Sequence, residues 1–299
     1  LKNTRRMKER IQRIMSELEG NQQKTLNATD RECVVVHSRQ GSHAGYSAEV
    51  VVDDKKGLIV SSDVVSANID LGQFAYQIEK ANQEMGKKCE VGVADSGYAQ
   101  MDDLAKALAN ETKVIVPSQP IASKKGIGEF DKRKFKYDSG ENCYTCPEGH
   151  KLVRGCRTKR DDGYRYRIEK KELCLTCKNY GKCTTAKRGR VVERRDDEEF
   201  REYIEKEYAL EENQAIYQRR KTKIELVFGH IKRNLGAGYF LLRGLEGVQA
   251  EMSLLSLAFN LRRMITLLGI KGLIEKLGRS QCCTSLIRPL ATATNPVML

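Results

Sequence analysis

Glu225 is the only acidic residue in residues 217–243, where seven Arg and Lys surround it. Lys221, Gly229 and Lys232 lie four before, four after and seven after it, so on a helix they share its side. Cations, a carboxylate and bare backbone on one side suit a phosphodiester and a metal ion. The plainer account is a Glu–Lys pair on a solvated helix. Asp95 is the second carboxylate of interest. It closes the apolar run 89–94, and its plainer account is a turn residue before Gly97. Asp53 and Asp54 read as hairpin-turn residues, Asp63 lies within a strand and could point inward, and Asp70 reads as a helix cap; any of these could complete a site.

The cysteines form a separate signal. Cys143-x2-Cys146 is followed by Cys174-x2-Cys177-x5-Cys183. Two such pairs can offer four thiolates to one tetrahedral Zn²⁺. Spacing alone admits Cys143 together with Cys146, and His150 is a further candidate. The alternative is a set of unligated thiols, yet a segment this polar and small has little else to hold it together. Cys33, Cys89, Cys156, Cys282 and Cys283 lack such spacing. Around the pairs, Arg154, Arg157, Arg165, Arg167 and Arg190 alternate with Tyr144, Tyr164 and Tyr166, residue types that can track a phosphate backbone and contact sugars or bases.

Several elements must position these groups. Ile224, Val227, Phe228, Ile231 and Leu235 keep helical apolar spacing and should turn the late helix toward a core. Residues 46–54 and 58–65 are β-branched runs joined by Asp-Asp-Lys-Lys-Gly, which predicts a hairpin with Gly57 in the turn. A helix over 71–84, a strand over 89–94, a helix over 101–109 and a strand over 114–117 complete an α/β core. Residues 2–19 read as an amphipathic helix or short coiled coil, and 21–30 as a polar linker. In 248–268, Met252, Leu254, Leu255, Leu257, Ala258, Leu261, Met264 and Ile265 predict a core-packing helix. The domain division that follows is 1–28, 29–136, 137–192 around the cysteines, 193–270 around the late helix, and a tail 271–299.

Composition narrows the class of partner. The 299 residues carry 53 Lys and Arg against 40 Asp and Glu, a net charge of +13 that points to a polyanion such as nucleic acid. No run of about 18 apolar residues and no signal-peptide pattern is evident, so the expectation is a cytoplasmic chain with no membrane partner. In that compartment cysteines are metal ligands or free thiols rather than disulfides.

The ordered set Tyr217-x2-Arg220-x4-Glu225-x6-Lys232, with Phe228-Gly229-His230-Ile231-Lys232-Arg233-Asn234, Leu241-Leu242-Arg243-Gly244-Leu245 and Asn260, resembles the third-acid region of DDE transposases of the IS1182-type insertion-sequence family. Val93-Ala94-Asp95-Ser96-Gly97-Tyr98 resembles that family's second-acid motif, and the resemblance runs from about Met7 to about Gly269. It implies a ribonuclease-H-like α/β fold with a cysteine-rich zinc-binding insertion and a C-terminal helical region. Asp95 and Glu225 would be catalytic acids and ligands of Mg²⁺. In such chemistry two Mg²⁺ ions about 3.5–4 Å apart activate the attacking oxygen and stabilise the leaving one during strand cleavage and strand transfer.

The resemblance also implies that Tyr217, Arg220 and Lys232 grip double-stranded DNA at transposon ends and target, joined by Lys221 and Arg233. Arg220 to Glu225 is one residue longer than in the IS4 group, which leaves Lys221 as an alternative phosphate contact. For zinc it favours Cys146, Cys174, Cys177 and Cys183. The family's first catalytic Asp stands in an Asp-Gly-Thr motif on the first strand, and that motif is absent here. With Leu1 in place of Met, the expectation is an N-terminally truncated copy, impaired in catalysis. The alternative is a non-catalytic zinc-containing DNA-binding protein. Family members commonly act as dimers, a role open to the helix at 2–19.

Overall fold

The structure is a computed structural model that describes residues 2–20, 25–38, 41–122, 128–281 and 297–298; Cys282 and Cys283 lie outside the described residues. Helix α1 (Lys2–Gly20) has the predicted amphipathic pattern but leaves Met7, Ile11 and Met15 exposed. A short hairpin, β1 (Val34–Ser38) with β2 (Gly41–Gly45), adds to the predicted elements. Its second strand is mostly exposed, so no in–out alternation marks it.

The main hairpin is β3 (Ser47–Asp53) with β4 (Ile59–Val65). Gly57 turns at φ +67°, and the Asp53 carboxylate accepts the Lys56 N–H at 2.6 Å, so Asp53 is the turn residue its context predicts. Next come α2 (Phe74–Met85), β5 (Val91–Val93), a 3₁₀ turn over Ser96–Tyr98, α3 (Met101–Ala109) and β6 (Lys113–Ile115). The chain continues with α4 (Gln119–Ala122), β7 (Lys136–Asp138), β8 (Cys143–Thr145), β9 (Lys151–Arg157), β10 (Gly163–Ile168), α5 (Lys171–Leu175), β11 (Val191–Arg195) and α6 (Glu198–Ala209). It ends in α7 (Glu211–Asn234), α8 (Leu245–Gln281) and β12 (Val297–Met298). Two compact units result: Leu1–Val116 with Leu210–Leu299, and Pro117–Ala209.

In the first unit the sheet order is β4-β3-β12-β5-β6. Strand β3 is antiparallel to β4 and β12, while β5 is parallel to β12 and β6. Val50, Val51, Val52, Val93, Ala94 and Met298 are buried along its middle, with Phe74, Ile78 and Leu104 from α2 and α3 and Ile224, Val227 and Ile231 from α7. Burying a side chain of this kind contributes about 1.5–3 kcal/mol.

Helix α8 departs from expectation. Met252, Phe259 and Val248 are buried, but Leu254, Leu257, Leu261 and Ile265 are exposed, so the apolar run is not a single core stripe. The inward face is instead partly polar. The Asn260 amide bonds both the N–H and the C=O of Ile59, at 2.8 and 2.7 Å, and Gln249 accepts the Val64 N–H at 2.7 Å, so the helix covers the backbone of rim strand β4. Leu245–Gly278 is also long and apolar enough to cross a membrane, with mean hydropathy 1.3 and 11% of that window buried. Polar residues, Arg262 and Arg263 among them, interrupt the run, so no uninterrupted apolar stretch marks it in the sequence.

The second unit is a five-stranded antiparallel sheet in the order β11-β10-β9-β8-β7. Phe135, Tyr144, Leu152, Tyr166, Ile168 and Val192 form its core, and the rings of Tyr137, Tyr144 and Tyr166 pack 5.0–6.0 Å apart. Tyr144 and Tyr166 are thus structural and not available to bases, because both rings are buried in this core. Tyr164 packs partly buried against this core, with the Arg154 guanidinium 3.6 Å from its ring.

Candidate functional site

A cleft of about 890 Å³ opens in the first unit, lined among others by Glu49, Asp70, Asp95, Tyr98, Arg220 and Lys232. Asp95 follows the short strand β5 in extended conformation and caps the 3₁₀ turn, its Oδ1 accepting the Gly97 N–H at 2.8 Å. The other oxygen, Oδ2, accepts from Arg220 Nη2 at 3.0 Å. A Cβ at position 97 would come within 2.9 Å of both Asp70 Oδ2 and Asp95 Oδ1, so glycine is what lets the two carboxylates flank the turn.

Glu49 sits at the base of this group, buried on β3 opposite Asp63 on β4, and accepts a hydrogen bond from the Tyr98 hydroxyl. Burial pushes its carboxyl up to about 7; the Tyr98 hydrogen bond opposes the rise, and the charges of Asp70, Asp63 and Asp95 add to it. Burial also raises Asp70, helped by the Asp95 charge and opposed by Arg220. The half-buried Tyr217 hydroxyl is raised by burial, opposed by Arg220 and reinforced by Asp95, which places Tyr217 in the same electrostatic neighbourhood.

Asp63 does point inward, but to Lys80, with an ion pair at 2.8 Å, and to the Gln77 amide. Asp54 pairs with Arg219 at 3.0 Å. Asp70 lines the cleft and does not cap α2 with its side chain; the Phe74 N–H at the start of that helix instead bonds the Asp103 carboxylate at 2.8 Å. Glu49 escaped the sequence reading, although a lone acid preceding three consecutive valines is a visible anomaly.

The α7 residues divide. Arg220 and Lys232 line the cleft with Ile224, Phe228 and Ile231. Glu225 does not: its side chain is 69% exposed and its ion-pair partner is the equally exposed Lys221, at 4.0 Å. Five residues turn a helix by about 140° beyond a full turn, so directing Arg220 at Asp95 directs Glu225 elsewhere. Arg233 is exposed as well. A Cβ on Gly229 would meet nothing within 4 Å, so this glycine does not serve a tight helix contact.

Fitness for metal ions differs between the units. Among the described residues no group of three or more His, Cys, Asp and Glu is assembled to hold one. Asp95 and Glu225 are not brought together, so the arrangement does not fit the Mg²⁺ set that the resemblance implies. In the second unit Cys146, Cys174, Cys177, Cys183 and His150 line one recess, while the Cys143 thiol bonds Glu141. Backbone N–H groups of His150, Arg190 and Asn179 donate to the sulfurs of Cys146, Cys174 and Cys177 at 3.4–3.5 Å. Burial raises the Cys183 thiol; Arg190 opposes that, and Cys174, Cys146 and Cys177 add to it as neighbouring charges. Three of the four sulfurs thus accept amide N–H bonds, and thiolates are the donor type that zinc takes, although among the described residues the four are not gathered into a metal-holding group.

Residues 145–265 match the family model described as a transposase DDE domain. The matched stretch contains Cys146, Cys174, Cys177, Cys183, Tyr217, Arg220, Glu225 and Lys232, and it does not contain Asp95. No curated protein and no solved structure matches the chain. The match supports a transposase and, with it, enzymes of the polynucleotidyl-transferase type, which generally use Mg²⁺.

Proposed function

We propose that this chain is the later part of an IS1182-type DDE transposase, acting on double-stranded DNA. The carrying observation is the family match over residues 145–265, within which Arg220 and Lys232 line the same cleft as Asp95. Arg220 and Lys232 hold a backbone phosphate there, Tyr217 borders it, and Lys221 and Arg233 add positive charge along the exposed flank of α7. The fold reading is ribonuclease-H-like. The central place of the sheet, held for two described residues by β12, supports a core that lacks its first strand and that strand's acid. The complete enzyme carries out Mg²⁺-dependent strand cleavage and transfer. Because Asp95 and Glu225 stand apart here, no metal-assisted step follows from this geometry.

Zinc at Cys146, Cys174, Cys177 and Cys183 staples the second unit, supported by the shared recess and the amide–sulfur bonds. The exposed Met7, Ile11 and Met15 of α1 support a homodimer. Attachment of Gln249 and Asn260 to β4 supports reading α8 as part of a soluble, cytoplasmic protein rather than as a membrane span.

Binding of a random-sequence duplex across a salt series tests the proposal. The logarithm of affinity should fall linearly with that of salt, and Lys232→Ala should lower the slope by roughly one. Absence of low-salt binding would remove the proposal. The Arg220–Asp95 pair and the outlying Glu225 favour a second reading, a non-catalytic zinc-containing DNA-binding protein. That reading requires no Mg²⁺-dependent plasmid nicking by the parent and unchanged DNA binding by Asp95→Ala and Glu225→Ala.

A further inference from the structure

The loop that joins α7 to α8 has a firmly held backbone and outward side chains. The Leu241 and Leu242 N–H groups both donate to the Glu251 carboxylate, at 2.9 Å. Just beyond them the Gly244 N–H donates to Asp30 at 3.1 Å and the Leu245 N–H to Glu32 at 2.8 Å. At the other end the Ala237 N–H bonds the Ile231 carbonyl at 3.1 Å. A loop anchored at so many amides cannot collapse to hide its side chains. Tyr239 is 77% exposed, Leu241 76% and Leu242 52%. One exposed apolar side chain is ordinary, but three within a span of four residues form a patch that marks a contact surface. The flanking charge is of one sign. Residues 226–245 include Lys232, Arg233 and Arg243, all exposed, and no Asp or Glu. Tyr239, Leu242 and Arg243 also line the 890 Å³ cleft that holds Arg220 and Lys232.

We propose that this loop is a base-stacking site, in which the Tyr239 ring takes the face of an unpaired nucleobase of a DNA strand. The phosphates of that strand lie along Lys232, Arg233 and Arg243, and Leu241 and Leu242 shield the stacked base from water. An aromatic ring rimmed by cations suits a polyanion that carries π faces, whereas a purely apolar protein surface would leave the cations without counter-charge. Inside a duplex both faces of a base are covered by its neighbours, so the ring reaches only a base at a strand end, a nick or an unpaired position. Strand cleavage creates such bases. The proposal therefore rests on the transposase reading and assigns the broken end a place in the same cleft.

Anisotropy titrations of the full chain with a labelled duplex bearing a short single-stranded overhang test it, against the same DNA with abasic sites in the overhang. The two DNAs carry the same phosphates and differ only in the base faces on offer. The parent should bind the base-bearing DNA about ten-fold more tightly. Tyr239→Ala should lose that preference and keep the parent's salt slope, and Tyr239→Phe should retain the preference. The ring is exposed, so neither change disturbs the core. Lys232→Ala, by contrast, should lower the salt slope for both DNAs. The sequence has no Trp, so Tyr239→Trp places a single fluorophore in the loop, whose emission the base-bearing DNA should quench and the abasic DNA should not. Equal affinity of the parent for the two DNAs, or a Tyr239→Ala variant that keeps the preference, would overturn the stacking site and leave DNA binding standing. Absence of binding to either DNA would overturn both readings together.

Discussion

Arg220 reaches across 125 residues of sequence to donate a 3.0 Å hydrogen bond to Asp95, so the best-placed acid of the cleft is held by a cation from helix α7. The guanidinium is only 12% exposed, whereas the carboxylate is 45% exposed and keeps a second bond to the Gly97 N–H. A half-exposed pair of this kind is partly screened, and its worth shows best as a coupling energy. In a double-mutant cycle with Asp95→Ala and Arg220→Ala, followed by urea unfolding, the coupling should be about 0.5–2 kcal/mol. A value indistinguishable from zero would mean that the two groups do not meet in solution.

Glu49 makes stability depend on pH. The unfolded carboxyl releases its proton near 4.5 and the folded one near 7, so between those values the unfolded state is the one that gains from ionisation. Stability is therefore highest below about 4.5 with respect to this group and declines as pH rises to 7. The loss amounts to roughly 3 kcal/mol before allowance for residual solvent. Glu49→Gln should flatten that window while keeping an acceptor for Tyr98. A parent and variant with parallel stability profiles between pH 4.5 and 7 would contradict the burial of an ionisable Glu49.

The thiol recess predicts about one zinc per purified chain by elemental analysis. Cys177→Ala should abolish most of that content, whereas Cys143→Ala, whose thiol faces Glu141, should leave it intact. Chelation should then expose the second unit to protease, since structural zinc supplies folding energy directly. Equal zinc in both variants would point to a different ligand set.

Asn260 saturates both backbone groups of Ile59 on the rim of the sheet. Asn260→Ala should cost about 1–3 kcal/mol, because it leaves an amide and a carbonyl unpaired beneath a helix. Light scattering should also show faster self-association, since an uncovered rim strand pairs with other strands. A variant as stable and as soluble as the parent would show that α8 does not protect the edge.

Local pattern made some elements legible and left others hidden. The hairpin β3–β4 was readable because β-branched runs flank a Gly-bearing turn, and α3 because its apolar spacing and burial coincide. Helix α8 misled because an apolar residue on a helix need not be buried: Asn260 and Gln249, not the leucines, mark its inward face. The antiparallel sheet of the second unit was obscured by its many charges. Arg157 with Asp161 and Arg165 with Glu193 are neutralised by partners that spacing does not reveal. At the cleft, the sequence identified Asp95 and Arg220 separately. Glu49 and Asp70 join them only through strand register and the turn at Gly97, which are tertiary facts.

The two-residue strand β12 has a consequence for how the first unit comes apart. Among the described residues, hairpin β3–β4 and the parallel pair β5–β6 meet in the sheet only through Val297 and Met298, so the seam lies at the centre rather than at the rim. Native-state hydrogen exchange should therefore divide the sheet into two cooperative blocks, β3–β4 and β5–β6, that open independently. The amides of Val52 and Val93, buried though they are, should exchange by a subglobal opening at the seam well before the chain unfolds.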